Sequence, residues 1–226
     1  MKIIIINASF RKNGATARIL SEFANQLNLH ADTDVEIFHL SDLNIGFCHG
    51  CCSCYKTGQC FLEDDANMLV QAIVEADGLV IGTPNYVTNI SGQLKTFFDR
   101  AHFVLPQLLK DKHTIGVVTY ENVMGGSVFS VLKKMFVLSG AKTVDKIIAK
   151  IPLNSNPIES EKVKANIKNK AVKFHNSILR KKAKSLPDRI MHFFAFNLVI
   201  KPFVLKKGQE YQGVLQHWKA REISHK

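Results

Sequence analysis

The sequence predicts an α/β fold, a five-stranded parallel sheet with helices on both faces, followed by a helical C-terminal extension. Three observations carry that prediction. Short apolar runs alternate five times with segments of helical periodicity, the pattern of serial βα units. The chain has 226 residues, enough for one domain with something left over. Hydrophobic residues are 46% and charged residues 22%, ordinary for a globular chain, which excludes wholesale disorder.

The elements follow in order. Residues 2–7 (KIIIIN) are almost wholly apolar, as a strand buried on both faces must be. Residues 14–29 carry Ala17, Leu20, Phe23, Ala24 and Leu27 at helical spacing. Residues 34–40 alternate like a strand nearer a sheet edge, and 41–63 form a loop dense in Cys and Gly. A helix over 64–76 begins with acidic residues, which suit the positive end of its dipole. Residues 78–83 (GLVIGT) form the third strand, and 91–104 a helix entered by the N-cap Ser91. The fourth strand is 114–120, its helix runs over 126–139 and Gly140 ends it. The fifth strand is 143–151, and a Lys-rich helix runs from Pro157 to about Arg180. Five such units favour the flavodoxin-like strand order 2-1-3-4-5. Residues 1–180 make up this domain and 181–226 the extension.

Charge and cysteine content set the class of partner. The net charge of +11 is uneven: residues 1–156 hold 14 basic and 14 acidic side chains, and residues 157–226 hold 16 and 5. The main fold is therefore neutral, and no nucleic-acid partner is expected. The longest apolar run, residues 190–200, is 11 residues against the roughly 20 of a spanning helix. The N-terminus runs straight into a strand with no small-residue cleavage site, so a cytoplasmic protein is expected. In that compartment five cysteines between Cys48 and Cys60 read as metal ligands or redox thiols rather than structural disulfides.

In an open α/β sheet, ligands bind beyond the carboxyl ends of the strands, at the switch point between strands 1 and 3. The loop after strand 1, Asn7 to Thr16, is small, hydroxylated and basic, and it opens a helix. Free N–H groups there, with the hydroxyls of Ser9 and Thr16, suit a phosphate monoester. The dinucleotide and Walker glycine patterns are both absent. The same loop could equally be an ordinary capped turn. After strand 3, Thr83-Pro84-Asn85-Tyr86-Val87 can lay backbone amides against the edge of a planar ring, with Tyr86 over its face, or simply form a tight turn. After strand 4, Thr119 to Gly126 ends in Gly125-Gly126, which permits close backbone approach or merely starts a helix.

The S-x-R-K-N-G-x-T loop of 9–16, the T-P-x-Y turn of 83–86 and the G-x-L-K-x-x-x-D-R helix of 92–100 resemble the FMN-dependent NAD(P)H reductases of flavodoxin-like fold, over about residues 1–150. The resemblance implies that Ser9, Arg11, Asn13, Gly14, Ala15 and Thr16 hold the FMN phosphate. It implies Thr83, Pro84, Asn85, Tyr86 and Val87 at the isoalloxazine, with Thr119 and Gly125 near its other edge. Lys95, Asp99 and Arg100 belong to the pattern too, but at i,i+4 Lys95 and Asp99 read as a surface ion pair.

Cys48, Cys51, Cys54 and Cys60 read C-x2-C-x2-C-x5-C, with Cys52 as an extra. Spacings of two bring successive thiolates to one side of a tight loop, and thiolates are the ligands of iron–sulfur clusters. Zinc, a cluster-free loop and a thiol or disulfide switch remain alternatives; zinc sites more often pair two separated knuckles. The segment is similar to that of the iron–sulfur flavoprotein branch of the reductases, which implies a [4Fe–4S] cluster beside FMN.

The expected activity is therefore an FMN-dependent oxidoreductase. It would take electrons from NAD(P)H or a redox partner and pass them to a small-molecule or protein acceptor. No catalytic side chain stands out and none is required. A cluster-free reductase of quinones or nitro compounds, and a flavin electron carrier without its own substrate, are the alternatives. In the extension, the cluster Arg180 to Lys184 precedes an apolar run opened by Pro187 and interrupted by Pro202. A helix packed on the domain or on a partner subunit is expected, with membrane-surface contact as the alternative. An exposed patch this apolar, like the resemblance, points to a homo-oligomer.

Overall fold

The computed structural model describes residues 1–223. Strands β1 (Lys2–Asn7), β2 (Asp34–His39), β3 (Gly78–Pro84), β4 (His113–Tyr120) and β5 (Lys142–Lys150) form one sheet in the order β2-β1-β3-β4-β5. Every neighbouring pair is parallel. The four consecutive isoleucines of β1 are explained by its central place. Ile4 and Ile6 face one core, built with α3 (Asp65–Glu75), α4 (Gly92–Ala101) and α5 (Gly125–Leu138). Ile3 and Ile5 face the other, built with α1 (Ala15–Asn28) and α6 (Glu161–Leu179). Both faces being apolar removes the period-two signal that an edge strand such as β2 keeps.

The expected elements form within a few residues of their expected ends. The loop of 41–63 differs, because it contains a short helix, α2 (Ser53–Thr57). Cys52 stands before that helix at φ +59°, and Gly58 ends it at φ +90°. The sharp reversals at both ends hide a five-residue helix from any periodicity search.

The extension forms α7 (Leu186–Phe194), a π-helical stretch over Ala195–Ile200, α8 (Lys201–Lys207) and α9 (Gln212–Ala220). The expected interruption at Pro202 does not occur; the helix runs through it. The reason is geometric. The residues turned toward the domain are Asp188, His192, Phe196, Ile200 and Val204, at four-residue spacing. In an α-helix each such step drifts by about 40°, so the inward line would wander by about 160° from the first to the last. The wider π turns offset part of that drift, and Lys201 N–H bonds the Phe196 carbonyl five residues back. Pro202 then stands in the first turn of α8, just past the widened turns, where a proline is tolerated.

Polar contacts fix this helix to the domain. Lys133 pairs with the buried Asp188 at 3.0 Å, and His192 meets Gln107 at 2.8 Å. Trp218 of α9 donates its indole N–H to Leu105 O at 2.8 Å. Beneath them Phe196, Ile200, Val204, Tyr211, Val214 and Trp218 make a third core that also takes in Tyr55, from the cysteine loop. Tyr55 stacks on Tyr211 with ring centroids 4.7 Å apart. The closest approach lies next to it: a Cβ built on Gly213 would stand 2.1 Å from the Gly58 nitrogen. The extension is thus the backstop of the cysteine loop.

Gly213→Ala is expected to force that contact apart and lower stability by about 1–3 kcal/mol. That corresponds to a melting temperature lower by about 2–4 °C per kcal/mol. Gly126→Ala, where an added methyl meets open space, is expected to change little. Differential scanning calorimetry of the two variants checks the contrast.

Candidate functional site

A cleft of about 650 Å³ opens at the carboxyl edge of the sheet, between the loops that follow β1, β3, β4 and β5. At one end is the start of α1. Its N-cap is Gly14, no side chain caps it, and its first turn holds no acid. The positive helix end is thus left for an outside anion. The turn leading into it is set by Ser9, whose Oγ accepts from Arg11 N–H at 3.2 Å, and by Gly14 N–H on Arg11 O at 2.9 Å. Arg11 reaches across to Asn154 Oδ1 at 2.7 Å, and Arg18 Nε donates to Asn13 O at 2.9 Å. At the floor Thr16 and Thr119 share a hydrogen bond of 2.7 Å, joining α1 to β4.

The far wall is the turn after β3. Asn85 N–H donates to Thr119 O at 2.8 Å, and its side-chain Nδ2 donates to Val123 O at 2.8 Å. Its Oδ1 is buried and has no partner. An orphaned acceptor lining a cleft is a place for a ligand N–H. Tyr86 and Asn89 then exchange backbone hydrogen bonds around Val87 and Thr88, which take φ of +49° and +59°. Two β-branched residues in the left-handed region are strained. The strain carries Val87, 96% exposed, out to the rim of the cleft.

Eleven of the residues expected at the cofactor line this cleft: Ser9, Arg11, Asn13, Gly14, Ala15 and Thr16, then Pro84 to Val87, and Thr119. Two do not. Thr83 is fully buried, accepting from Ser91 N–H and donating to Pro84 O, so it braces the turn from behind. Gly125 packs under Tyr120, where a Cβ would come within 2.5 Å of the ring. The loop after β5, Ile151 to Ser155, lines the cleft as well, beyond the residues expected there. Its signal was the same as the others', a polar turn (Asn154, Ser155) at the carboxyl end of a strand. Lys95 and Asp99 form an exposed ion pair at 2.6 Å, away from the cleft.

The cysteines follow β2 on the same edge, and none lines the cleft. All five are free thiols. Burial pushes the Cys54 thiol up to about 11, with Cys60, Cys48, Cys51 and Cys52 close enough to add to the rise. Gly50 N–H points at Cys48 Sγ, 3.4 Å away. Among the described residues no three His, Cys, Asp or Glu side chains are gathered tightly enough to hold a metal ion. The other three expected ligands, Cys48, Cys51 and Cys60, therefore lie near Cys54 without forming a finished sphere among the described residues. His49 sits edge-on to Phe61, ring centroids 6.1 Å apart.

The ends of the cysteine loop are tied together by charge. Asp64 caps α3 through Ala66 N–H, accepts from Gly46 N–H at 2.9 Å and binds both Nη atoms of Arg100, at 2.5 and 2.9 Å. Arg100 Nη1 also donates to Gly46 O at 2.9 Å. Asp65 adds a parallel tie to Asn44 N–H at 2.6 Å. Burial alone would raise Asp64, but Arg100 and the two N–H groups hold it below the ordinary carboxylate value. Arg100 comes from the helix that follows the Asn85 turn, so one side chain links the cleft wall to the cysteine loop.

Asp64→Asn leaves that guanidinium buried beside a neutral group, and a loss of about 3–5 kcal/mol is expected. A depressed carboxylate contributes fully above its ordinary pKa, near 4, and its contribution fades as pH falls through the lower folded value. The gap between wild type and variant in urea denaturation is therefore expected to be widest near neutrality and to narrow on acidification from about pH 4 downward.

Comparison with known proteins agrees with this geometry. The family model described as NADPH-dependent FMN reductase matches residues 1–152. An iron-sulfur flavoprotein of Clostridioides difficile is 36% identical over 225 residues, 99% of this chain and 100% of the relative. Another, from Archaeoglobus fulgidus, is 28% identical and covers 84% of this chain and 94% of its own. Among solved structures, an FMN-dependent NADH-azoreductase of Bacillus anthracis in complex with FMN superposes with a TM-score of 0.63 at 15% identity, over 76% of this chain and 98% of that one. A flavodoxin from the domain Archaea gives 0.54 at 14% identity, over 79% and 99%. With a two-thirds match to the family model and a full-length relative, the chain belongs to the NADPH-dependent FMN reductase family and is an FMN-binding, NAD(P)H-dependent oxidoreductase of flavodoxin-like fold.

Proposed function

We propose that the enzyme carries a [4Fe–4S] cluster on Cys48, Cys51, Cys54 and Cys60 beside its FMN, and passes electrons through it to an acceptor. FMN, when bound, supplies both two-electron and one-electron chemistry. The cleft fits it at both ends. The uncapped, acid-free start of α1 with Arg11 and Arg18 suits the phosphate, and the orphaned Asn85 Oδ1 suits a ring N–H. Tyr86, half exposed, would cover the ring face, and the backbone after β3 and β4 would exclude water from its edge. No side chain of the cleft is assigned a proton-transfer role; Glu121 is engaged in accepting from Leu153 N–H.

The observation that carries the cluster is the donor set: four soft thiols on one short loop, unpaired, with the Gly50 N–H turned toward Cys48 Sγ. Thiolate ligands kept reduced imply a cytoplasmic enzyme. The absence of a preassembled sphere among the described residues favours one rival, a cluster-free reductase of quinones or nitro compounds. Anaerobic purification with iron and acid-labile sulfide analysis decides between them. Four irons and one FMN per chain are expected; less than one iron overturns the cluster. Cys51→Ala and Cys54→Ala are expected to lose iron and keep FMN. Asn85→Ala, which removes an acceptor from the ring, is expected to weaken FMN on the order of tenfold, read by fluorescence titration. NAD(P)H turnover with small acceptors alone argues for a small-molecule acceptor; turnover only with an added redox protein argues for the carrier reading.

The same proposal includes a homo-oligomer. The outer face of α7 and α8 exposes Ile190, Phe193, Phe194, Leu198 and Leu205, while the inner face is already packed. A helix apolar all round needs cover on both sides, and about 30 Å of it is long enough for a second copy to pair along it. The double variant Phe194→Asp/Leu198→Asp is expected to turn an oligomer into a monomer in light scattering. A wild-type monomer that sediments with anionic vesicles would replace self-association with membrane contact.

A further inference from the structure

We infer that Asn154 is a positioning residue for the flavin phosphate, holding the Arg11 guanidinium at the cleft without neutralising it. The inference rests on the reading above that the phosphate lies at the start of α1, and deepens it with a residue from the loop after β5. Arg11 Nη2 donates to Asn154 Oδ1 at 2.7 Å, a contact between residues 143 apart in the chain. Both residues line the cleft. Among the described residues this is the one hydrogen bond that the Arg11 guanidinium makes. The rest of its planar fork of donors stays available to an oxyanion.

The cations around this end of the cleft are sorted by the kind of partner they have. Lys12 ends on a carboxylate, Asp42, at 2.5 Å, and does not line the cleft. Arg11 and Arg18 do line it, and each is held by a neutral oxygen, Asn154 Oδ1 for one and Asn13 O for the other. Among the described residues neither makes an ion pair. The one acid among the residues lining the cleft is Glu121, and it accepts from Leu153 N–H at 3.1 Å. It thus fixes the residue next to Asn154 rather than pairing with Arg11. A guanidinium tied to a carboxylate would meet a phosphate as half of a neutral pair. Tied to an amide, it keeps its whole charge and still gives up the rotamer freedom of a long side chain before the ligand arrives.

The loop is built to hold that amide in place. Ile151 N–H donates to Tyr120 O at 2.8 Å, and Ser155 N–H donates to Pro152 O at 3.1 Å, closing a turn around Asn154. Asn154 itself stands at φ +61°, in the left-handed region, which asparagine tolerates better than most residues. A residue that only shaped this loop would bear on a flavin with or without its phosphate. One that acts through Arg11 bears on the phosphorylated form alone.

The test compares FMN with riboflavin, which lacks the phosphate. Full-length protein stripped of flavin is titrated with each by fluorescence, as wild type, Asn154→Gly, Asn154→Asp, Arg11→Ala and Arg11→Ala/Asn154→Gly. Glycine and aspartate both accept the left-handed backbone, so strain is not what the titration reads. Asn154→Gly is expected to weaken FMN about threefold. Asn154→Asp, which turns the holder into a counter-charge, is expected to weaken it on the order of tenfold or more. Riboflavin binding is expected to stay unchanged in both. In the Arg11→Ala background the glycine substitution is expected to add nothing. Asn154→Gly with the FMN affinity of wild type overturns the inference, as does an equal weakening of FMN and riboflavin. A loss from Asn154→Gly that adds to that from Arg11→Ala overturns it too, since Asn154 would then act without Arg11. Wild type that binds riboflavin as tightly as FMN overturns the placement of the phosphate itself, and that result precedes any comparison of variants.

Discussion

Every chemically useful feature of this molecule depends on one constraint: all five strands point the same way. In a parallel sheet the carboxyl ends of the strands share an edge, and each connection back passes through a helix that begins near that edge. The start of α1, the Asn85 turn, the Tyr120 to Gly125 turn and the Ile151 to Ser155 loop therefore converge without any contact between them in sequence. The isoleucines of β1 are what make the edge dependable. They are buried on both faces, so the strand cannot slide or rotate without exposing one core or the other. Hydrogen bonds across the cleft, Thr16 to Thr119 and Asn85 to Val123, then refine positions that the sheet has already set.

The cysteine loop obeys a different logic. It has almost no regular structure of its own and few buried residues, so its placement comes from outside. Two acids and Arg100 close its base. The extension closes its far side through Tyr211 on Tyr55 and Gly213 on Gly58. Between those supports the cysteines sit close together, without a common centre among the described residues. With the proposed cluster, metal binding and ordering of the loop would be coupled, because an assembled site rarely exists before the metal arrives. The described part of the extension, residues 181–223, then has a use that does not involve the cleft: it is the wall against which the cysteine loop is held.

The sheet and its order were legible because hydrophobic period is a local signal, and five repeats of it leave few topologies. The loop after β1 was legible for a similar reason, since its hydroxyl, basic and glycine residues are adjacent in sequence. What sequence could not display were the pairings at long range. Arg100 was visible as the last residue of a helix pattern, but nothing near it shows that Asp64, 36 residues earlier, would hold it. Thr83 has the composition of a ligand-binding residue, and only the fold shows it turned behind its own turn. Pro202 reads as an interruption because a proline breaks the interior of an α-helical ladder; the structure places it in the first turn of α8, just after π turns that the sequence does not announce. In each case the deciding contact joins residues that local pattern cannot connect.

The placement of positive charge finally separates function from solvation. The excess of 11 lies in residues 157–226, largely as lysines on the outside of α6 and around the extension. Several of these are paired within that layer, as Lys170 and Lys173 are with Asp145. Solvated lysines of this kind contribute little to any specific site. The two places where positive charge is concentrated on chemistry use almost none of the surplus. At the cleft it comes from the dipole of α1, left without an acid in its first turn, and from Arg11 and Arg18. At the cysteine loop it comes from one guanidinium with no exposed surface. Charge works at short range when water is excluded and hardly at all when water is present, so the neutral two-thirds of the chain holds the electrostatics that matter for electron transfer.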